Sequence, residues 1–223
     1  MNRIYAAMAA VGLSLGCGCT AQAQMGMNLF QKPAIAKFVN PVVGKGSEYL
    51  TTPTESGSGK TRTMEMGVIG KESVDGKEGF WMQISSSAAD GKILLAKALI
   101  SKDDFQPRKI IFQMPGQGAM EMPFNPSATR DQKMADSMSE WHSVGTETIT
   151  VPAGTFVCEH WRNDTKGSDM WASDKVTPFG MVKEVTKSST MVLTKQLTDV
   201  TDKIPGPVQK FDPQMMMQQH QKP

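Results

Sequence analysis

The sequence predicts a mainly β protein: a single antiparallel meander of about nine or ten strands, curled into an incomplete barrel, with one or two short helices. Two observations predict this fold. Short runs of alternating apolar and polar residues fill the chain between residues 46 and 204. The joins between them are short and rich in Gly, Pro and Asp, which favours antiparallel neighbours, since a parallel crossover needs about a dozen residues. A sheet of this size is expected to twist and curl.

The predicted strands follow one another in chain order. They cover residues 47–52, 61–74, 80–87, 92–101, 107–114, 145–151, 154–164, 168–174, 180–187 and 190–200. The run 92–101 is apolar enough for a helix, but turn signals flank it closely and favour a strand. One short helix is predicted over 127–141, where Ser127 suits an N-cap and Met134 and Met138 lie one turn apart. A second is predicted over 28–39, broken at Pro33.

The two ends of the chain predict processing and a tail. Residues 1–23 have a basic start, a short apolar run and a small-x-small ending, which together predict a signal peptide and export to the periplasm. Gly16-Cys17 resembles a degraded lipoprotein signal, so a lipid anchor at Cys17 stays an open alternative. Residues 24–45 are a predicted lead-in, 46–204 the sheet domain, and 205–223 a flexible Met/Gln-rich tail. No apolar run is long enough to predict a transmembrane segment.

Composition excludes some classes of function. The 24 Lys and Arg nearly balance the 22 Asp and Glu, and this near-neutral charge argues against a nucleic-acid partner. Cys158 is the only cysteine beyond the predicted signal, so no disulfide framework is expected. We find no catalytic constellation and no cofactor motif. We therefore expect a protein that is not an enzyme and needs no cofactor.

The segment Val151–Trp161 contains a Cys-x-His pair, Cys158 and His160. On a strand these two side chains share a face with Phe156. The pair could be a metal corner, a reactive thiol or a nucleophile with its base. A closed metal site needs three or four ligands, however, and no further ligands are evident in the sequence. The favoured interpretation is that Cys158 is a small apolar core residue.

Three runs stand out in the second half of the chain, within about residues 144–198: TETITVPAGTFVCEHW, MWASDKVTPFGMVKE and TMVLTKQL. Over these runs the chain resembles a group of exported bacterial proteins of unknown function that are similar to the outer-membrane lipoprotein carriers (LolA/LolB-like). Pro152 fixes φ at a strand exit, Gly154 permits the reversal and Phe156 anchors the returning strand. The resemblance implies an incomplete antiparallel barrel closed by helices, with an apolar cavity that takes acyl chains.

The leading hypothesis is a non-catalytic envelope protein that binds a lipid or acyl chain in a half-barrel cavity. Burial of apolar surface would drive this binding, at about 25 cal/mol per Å². The predicted cavity residues are apolar side chains of the central strands: Met64, Met66, Phe80, Met82, Ile84, Leu94, Ile110, Phe112 and Phe156.

Two alternatives stay open. The chain has 18 methionines, and thioethers are soft ligands that select Cu(I), which indicates a periplasmic copper-binding protein as the first alternative. Its predicted ligands are one Met-x-Met pair and the tail: Met120, Met122, Met215, Met216, Met217 and His220. The second alternative is an envelope structural or interaction protein without a small ligand, whose partner protein the sequence does not identify.

Overall fold

The structure, a computed structural model, describes residues 37–55, 57, 59–74, 76–87, 91–113, 115–116, 118–122 and 141–210. These residues form twelve strands: β1 (Gly46–Pro53), β2 (Arg62–Val74), β3 (Lys77–Ser87), β4 (Ile93–Ser101), β5 (Pro107–Gln113), β6 (Ala119–Met122), β7 (Trp141–Val151), β8 (Gly154–Asn163), β9 (Ser168–Ala172), β10 (Met181–Val185), β11 (Ser189–Leu197) and β12 (Val208–Lys210). No helix occurs among them. The predicted helices fall largely outside the described residues, and Trp141 begins β7.

All twelve strands belong to one sheet, in the order β12-β6-β5-β4-β3-β2-β1-β11-β10-β9-β8-β7. Neighbouring strands are antiparallel except β12 and β6, which are parallel. The meander therefore runs in two pieces, β1–β6 and β7–β11, and the pairing of β1 with β11 joins them. Within the described residues the end strands β7 and β12 do not pair, so the sheet is not closed. The predicted mainly β, incomplete-barrel fold class is confirmed.

All ten predicted strands are present, and β6 and β12 are additional. β6 has four residues in a stretch rich in Pro, Gly and Met, and β12 has three residues within the predicted tail. Such short strands show too little alternation to be recognised in sequence. The two-residue joins are as expected: Pro152-Ala153 connects β7 to β8, and Gly154 then adopts a φ of 132°, which permits the reversal.

Most of the core lies on one face of β1–β4, which we call the inner face. Tyr49 lies at its centre, paired with Met64 on β2 and with Leu193 on β11, and all three are buried. The Tyr49 hydroxyl donates a hydrogen bond of 3.0 Å to the backbone oxygen of Met181. Because β11 and β10 belong to the second piece of the meander, these contacts hold the two pieces together.

The opposite, outer face of β2–β6 is crossed by the segment that joins β11 to β12, Thr198–Pro207, which we call the strap. Gln83 is buried beneath it and bonds it twice: its Nε2 donates to the Thr201 oxygen and its Oε1 accepts from the Lys203 nitrogen, at 3.2 and 2.7 Å. Lys97 donates to the Asp202 carboxylate at 2.6 Å and to the backbone oxygen of Ile204 at 2.8 Å. The strap is therefore a fixed layer of the fold.

The strap also carries an apolar anchor. Ile204 is fully buried and packs in a second, smaller core on the outer face with Trp81, Leu95, Ile111 and Ala119. β12 follows directly and pairs with β6, with Val208 opposite Ala119 and Lys210 opposite Glu121. The anchored strap thus explains why three exposed residues of the predicted tail form a strand at this edge.

Candidate functional site

Eight of the nine predicted cavity residues lie together on the inner face of β2–β5. The strand register arranges the inner face in rows that run across the strands. One row is Met66, Ile84, Ala96, Phe112 and Met120, and the next is Val68, Met82, Ala98, Ile110 and Met122. Phe156, the ninth residue, lies on β8 and is buried in the same core cluster. That these residues bind a ligand stays a prediction.

Burial decreases along these rows from the centre of the sheet to β6. Met64, Met66, Phe80, Met82 and Ile84 are buried against one another and other core residues. The side chains nearer the β6 edge are only half-buried, and we call them the β4–β6 apolar patch: Leu94, Ala96, Ile110, Phe112, Met120 and Met122. Apolar surface accessible to a ligand therefore lies on this patch, beside the packed core.

Two small residues lie in the middle of these rows, Ala96 within the patch and the buried Ala98 beside it. Both lie on β4 between bulky neighbours. Ala96 lies between Ile84 and Phe112 in its row, and Ala98 lies between Met82 and Ile110. The half-buried Ala96 has a single methyl group beside the larger side chains of Ile84 and Phe112, and we call this low point of the patch the alanine trough. The arrangement suits a narrow apolar chain lying across the rows, and the sequence analysis had not singled out either alanine.

Cys158 has the surroundings of an inert thiol. Its side chain is buried, and its Sγ contacts the backbone oxygen of Phe156 at 3.7 Å. Burial, with a smaller contribution from the charge of Glu147, raises the pKa of Cys158 to about 11. Since the thiolate is the reactive form, this environment agrees with the interpretation of Cys158 as a core residue.

His160 instead forms a charged cluster that spans three strands. Its ring is 5% exposed, and its Nδ1 lies 2.7 Å from Glu147 Oε1 on β7 while its Nε2 lies 2.6 Å from Asp169 Oδ1 on β9. Arg162 donates to the same Asp169 oxygen at 2.8 Å. Trp171 stacks on the imidazole with ring centroids 4.4 Å apart, and its indole donates to Glu147 at 3.1 Å. We call these five residues the His160 cluster.

The geometry of the cluster defines what its histidine can do. Both ring nitrogens lie within hydrogen-bond distance of a carboxylate oxygen, Nδ1 at 2.7 Å and Nε2 at 2.6 Å. Neither nitrogen is left without a partner to bind a metal or to face the Cys158 thiol. The cluster therefore ties the β7 edge strand to β8 and β9, and neither a metal corner nor a Cys158–His160 base pair fits its geometry.

Sequence reasoning found His160 but missed its partners. The signal was present in the register of the hairpin: a two-residue join after Val151 pairs Val151 with Gly154 and therefore Glu147 with Cys158. Glu147 is thus diagonal to His160 on the same face. Counting back along the hairpin would have found this carboxylate, whereas the β8–β9 register that supplies Asp169 depends on a longer loop.

The carboxylates of the cluster predict a loss of stability in acid. Hydrogen bonds from Trp171 and His160 lower the pKa of Glu147, and burial of Asp169, which alone would raise its pKa, is outweighed by hydrogen bonds from His160 and Arg162. The two carboxylates therefore stabilise the fold at pH values above their ordinary pKa values of 4.5 for Glu147 and 3.8 for Asp169. This stabilisation is lost as the pH falls below those values.

Denaturant unfolding measured by circular dichroism from pH 6 to pH 3 should show this fall. Asp169→Asn should flatten the pH dependence, whereas Asp174→Asn, at an exposed position outside the cluster, should leave it unchanged. If the stability of Asp169→Asn fell with pH as steeply as that of the wild type, Asp169 would not be a source of the acid sensitivity.

A separate cleft of about 190 Å³ with mixed polar and apolar walls lies between the outer face and the strap. It is lined by Glu65, Met66, Gly67, Gln83, Ser85, Leu197, Thr198, Asp199, Val200, Thr201 and Lys203. Lys203 bridges to Glu65 across it, and Gln83 uses its amide to bond the strap. Three of its polar side chains, Glu65, Gln83 and Lys203, are therefore engaged in holding the strap.

The predicted copper ligands are only partly within the described residues. Met120 and Met122 lie on one face of β6, whereas Met215, Met216, Met217 and His220 lie outside the described part of the chain. Within residues 37–122 and 141–210, apart from the undescribed gaps, no three His, Cys, Asp or Glu side chains are arranged to hold a metal. The same residues contain no helix that is long and apolar enough to cross a membrane.

Comparison with known proteins gives distant likenesses. No family model matches the chain, and no curated protein matches it in sequence. Among solved structures, the chain is similar to a proposed lipoprotein of Parabacteroides distasonis (16% identity, TM-score 0.38, covering 71% of this chain and 97% of the other). It is also similar to a Bacteroides fragilis protein proposed to be exported, with a YmcC-like fold (15% identity, TM-score 0.39, covering 71% of this chain and 98% of the other). A third similar structure is MucB in complex with MucA(peri) (10% identity, TM-score 0.37, covering 81% of this chain and 59% of the other).

Proposed function

We propose that the protein is a non-catalytic binding protein of the bacterial envelope that holds an apolar ligand, such as a lipid acyl chain, on the β4–β6 apolar patch. The observation that carries the proposal is the half-buried apolar surface with its alanine trough, continuous with the packed inner face. The envelope location rests on the predicted signal peptide, residues 1–23.

The energetics of an acyl chain suit such a surface. A dissociation constant of about 1 µM corresponds to about 8 kcal/mol. At about 25 cal/mol per Å², this needs roughly 330 Å² of newly buried apolar area, before the cost of immobilising the chain. An extended alkyl chain that lies over Ala96 and the half-buried Leu94 and Phe112 beside it would bury area of this order, counted on both ligand and protein.

The test fills the trough. Ala96→Phe places a ring between Ile84 and Phe112, and it should weaken binding of a fluorescent fatty acid at least about tenfold, which is about 1.4 kcal/mol. Lys109→Phe introduces the same side chain on the outer face of the adjacent strand β5, and it should leave the affinity unchanged. Native mass spectrometry of the protein purified from the periplasm should detect co-purifying lipid. Absence of lipid, together with no saturable fatty-acid binding, would reject the proposal.

Cu(I) binding is the second candidate, and the β12–β6 pairing favours it. Lys210 lies opposite Glu121, next to Met120 and Met122, so the tail methionines begin five residues along the chain from this point. Thioethers gathered there would suit Cu(I).

Replacing both Met120 and Met122 by Leu separates the two candidates. Leucine keeps the apolar patch but removes the sulfur ligands. Under the copper proposal a competitive Cu(I) titration should show a weaker affinity in the double variant, whereas fatty-acid binding should persist under the lipid proposal. An unchanged Cu(I) affinity, both in this variant and after deletion of residues 211–223, would reject copper.

A further inference from the structure

The β7 edge strand has an unpaired side that is unusually long and open. It has eleven residues, and among the described strands it pairs only with β8. Most of its residues are exposed, including Thr146, Thr148 and Thr150. Natural edge strands are usually short, or carry Lys, Pro or bulges that prevent pairing with another chain. β7 has a bulge near Gly145, but from Thr146 to Val151 it has no Lys, Pro or bulge, and its one charged residue, Glu147, is bonded to His160 and Trp171.

The hairpin register determines which backbone groups point outwards. The pair Val151–Gly154 closes a two-residue loop and is hydrogen-bonded, so alternate pairs back along the strands, Ile149–Phe156 and Glu147–Cys158, are hydrogen-bonded too. Thr146, Thr148 and Thr150 occupy the intervening pairs, and their backbone N–H and C=O groups therefore point away from β8. Three residues thus present donors and acceptors at the open edge.

We propose that a second copy of this chain occupies the edge, with the two β7 strands paired antiparallel about a twofold axis at Thr148. In this register Thr148 pairs with its own copy and Thr146 pairs with Thr150 of the second copy. All three outward residues then form hydrogen-bonded pairs, with two hydrogen bonds in each. The two sheets become one continuous sheet.

The side chains favour this register over its neighbours. Centred on Thr148, the pairing places Glu147 opposite Ile149 of the second copy and threonine opposite threonine, a favourable cross-strand pair. Centring on Glu147 would instead place two carboxylates opposite each other and would use only two of the three outward residues. The β-branched run from Thr148 to Val151 suits an extended strand in either copy.

The His160 cluster gives the edge the rigidity that self-pairing needs. Glu147 is held by His160 and Trp171 on the inward side of β7, so its charge is turned away from the open edge. The other end of the sheet offers no comparable surface, because β12 has only three residues and is preceded by Pro205 and Pro207. Self-association through β7 is independent of whether the inner face binds lipid.

Two measurements test the proposal on the purified protein. Light scattering after size exclusion, over a micromolar concentration series, should give twice the chain mass for the wild type and for Thr148→Val. Thr148→Pro should halve that mass, because proline removes the outward N–H that would bond to the second copy. The monomer itself should still fold, because in the monomer this N–H faces solvent and proline is tolerated at such positions of an edge strand. Thermal melting by circular dichroism checks that the proline variant is folded.

Cysteine cross-linking tests the register and does not depend on the proline variant. Under mild oxidation Thr148→Cys should form a disulfide-linked dimer, since paired Cα atoms lie about 5.5 Å apart. Thr146→Cys should not, because its own copy would lie about 14 Å away along the strands at about 3.4 Å per residue. A monomer at every concentration, a dimer unaffected by Thr148→Pro, or cross-linking of Thr146→Cys in preference to Thr148→Cys would overturn the proposal.

Discussion

Gly180→Ala is expected to lower the free energy of unfolding by about 3 kcal/mol, which combines left-handed backbone strain with overpacking. Gly180 has a φ of 72°, a conformation that residues with a Cβ atom rarely adopt. A Cβ atom there would lie 2.4 Å from the Cβ of Phe38 and 2.9 Å from the backbone oxygen of Ser173. Neither neighbour is the free end of a flexible side chain, so the backbone would have to shift.

The expected consequence is a melting temperature lower by about 6–12 °C, at about 2–4 °C per kcal/mol for a domain of this size. Gly70→Ala is the matched control, because Gly70 has no positive φ and a Cβ atom added there would meet nothing within 4 Å. That variant should be neutral or slightly stabilising. Equal melting temperatures for the two variants would show that the close approach of Phe38 to Gly180 is absent in solution.

His160→Ala is expected to destabilise the fold by about 3 kcal/mol. A hydrogen bond to a charged group contributes about 1.5–3 kcal/mol, and this substitution removes the two that join the imidazole to Glu147 and Asp169. Glu147 and Asp169 are 45% and 24% exposed, so solvent screening reduces that cost. Loss of the buried imidazole and of its stacking on Trp171 adds to it.

His142→Ala is the matched control for this substitution. His142 lies on the exposed side of β7, 3.7 Å from a largely exposed Asp164, and the change should alter stability by less than about 0.5 kcal/mol. Urea unfolding at pH 7 would measure both variants. If His160→Ala cost no more than His142→Ala, the His160 cluster would not hold β7 to the sheet. Self-association should also weaken in His160→Ala, because the edge strand loses its support.

Local sequence signals predicted the strands well because each signal acts over a few residues. Alternation identified ten strands, and the prolines and glycines of the joins predicted antiparallel neighbours. The segment 92–101 shows the limit of such reasoning, since composition alone allowed a helix and only the adjacent turns favoured the observed β4. The alternation of Phe156, Cys158 and His160 was likewise predicted correctly as one buried face of β8.

The candidate site was predicted less completely. Apolar residues on the central strands were expected to share a face, and eight of them do, because strand periodicity determines which side chains point together. The graded burial toward β6 could not be predicted, since it depends on how far the core of the neighbouring strands extends. The alanine trough was missed because small residues carry no chemical signal until their cross-strand neighbours are known.

By itself the sequence determined the class of fold, the positions of the strands and the directions of their side chains, because these follow from residue-level preferences and short joins. Only the tertiary structure decided the pairing of β1 with β11, the path of the strap and the partners of His160. Those features join residues more than a hundred positions apart or bring together three strands, and they depend on which faces must be buried together. The Cys-x-His motif illustrates the difference: its sequence suggested chemistry, and its packing made one residue part of the core and the other the centre of a charged cluster.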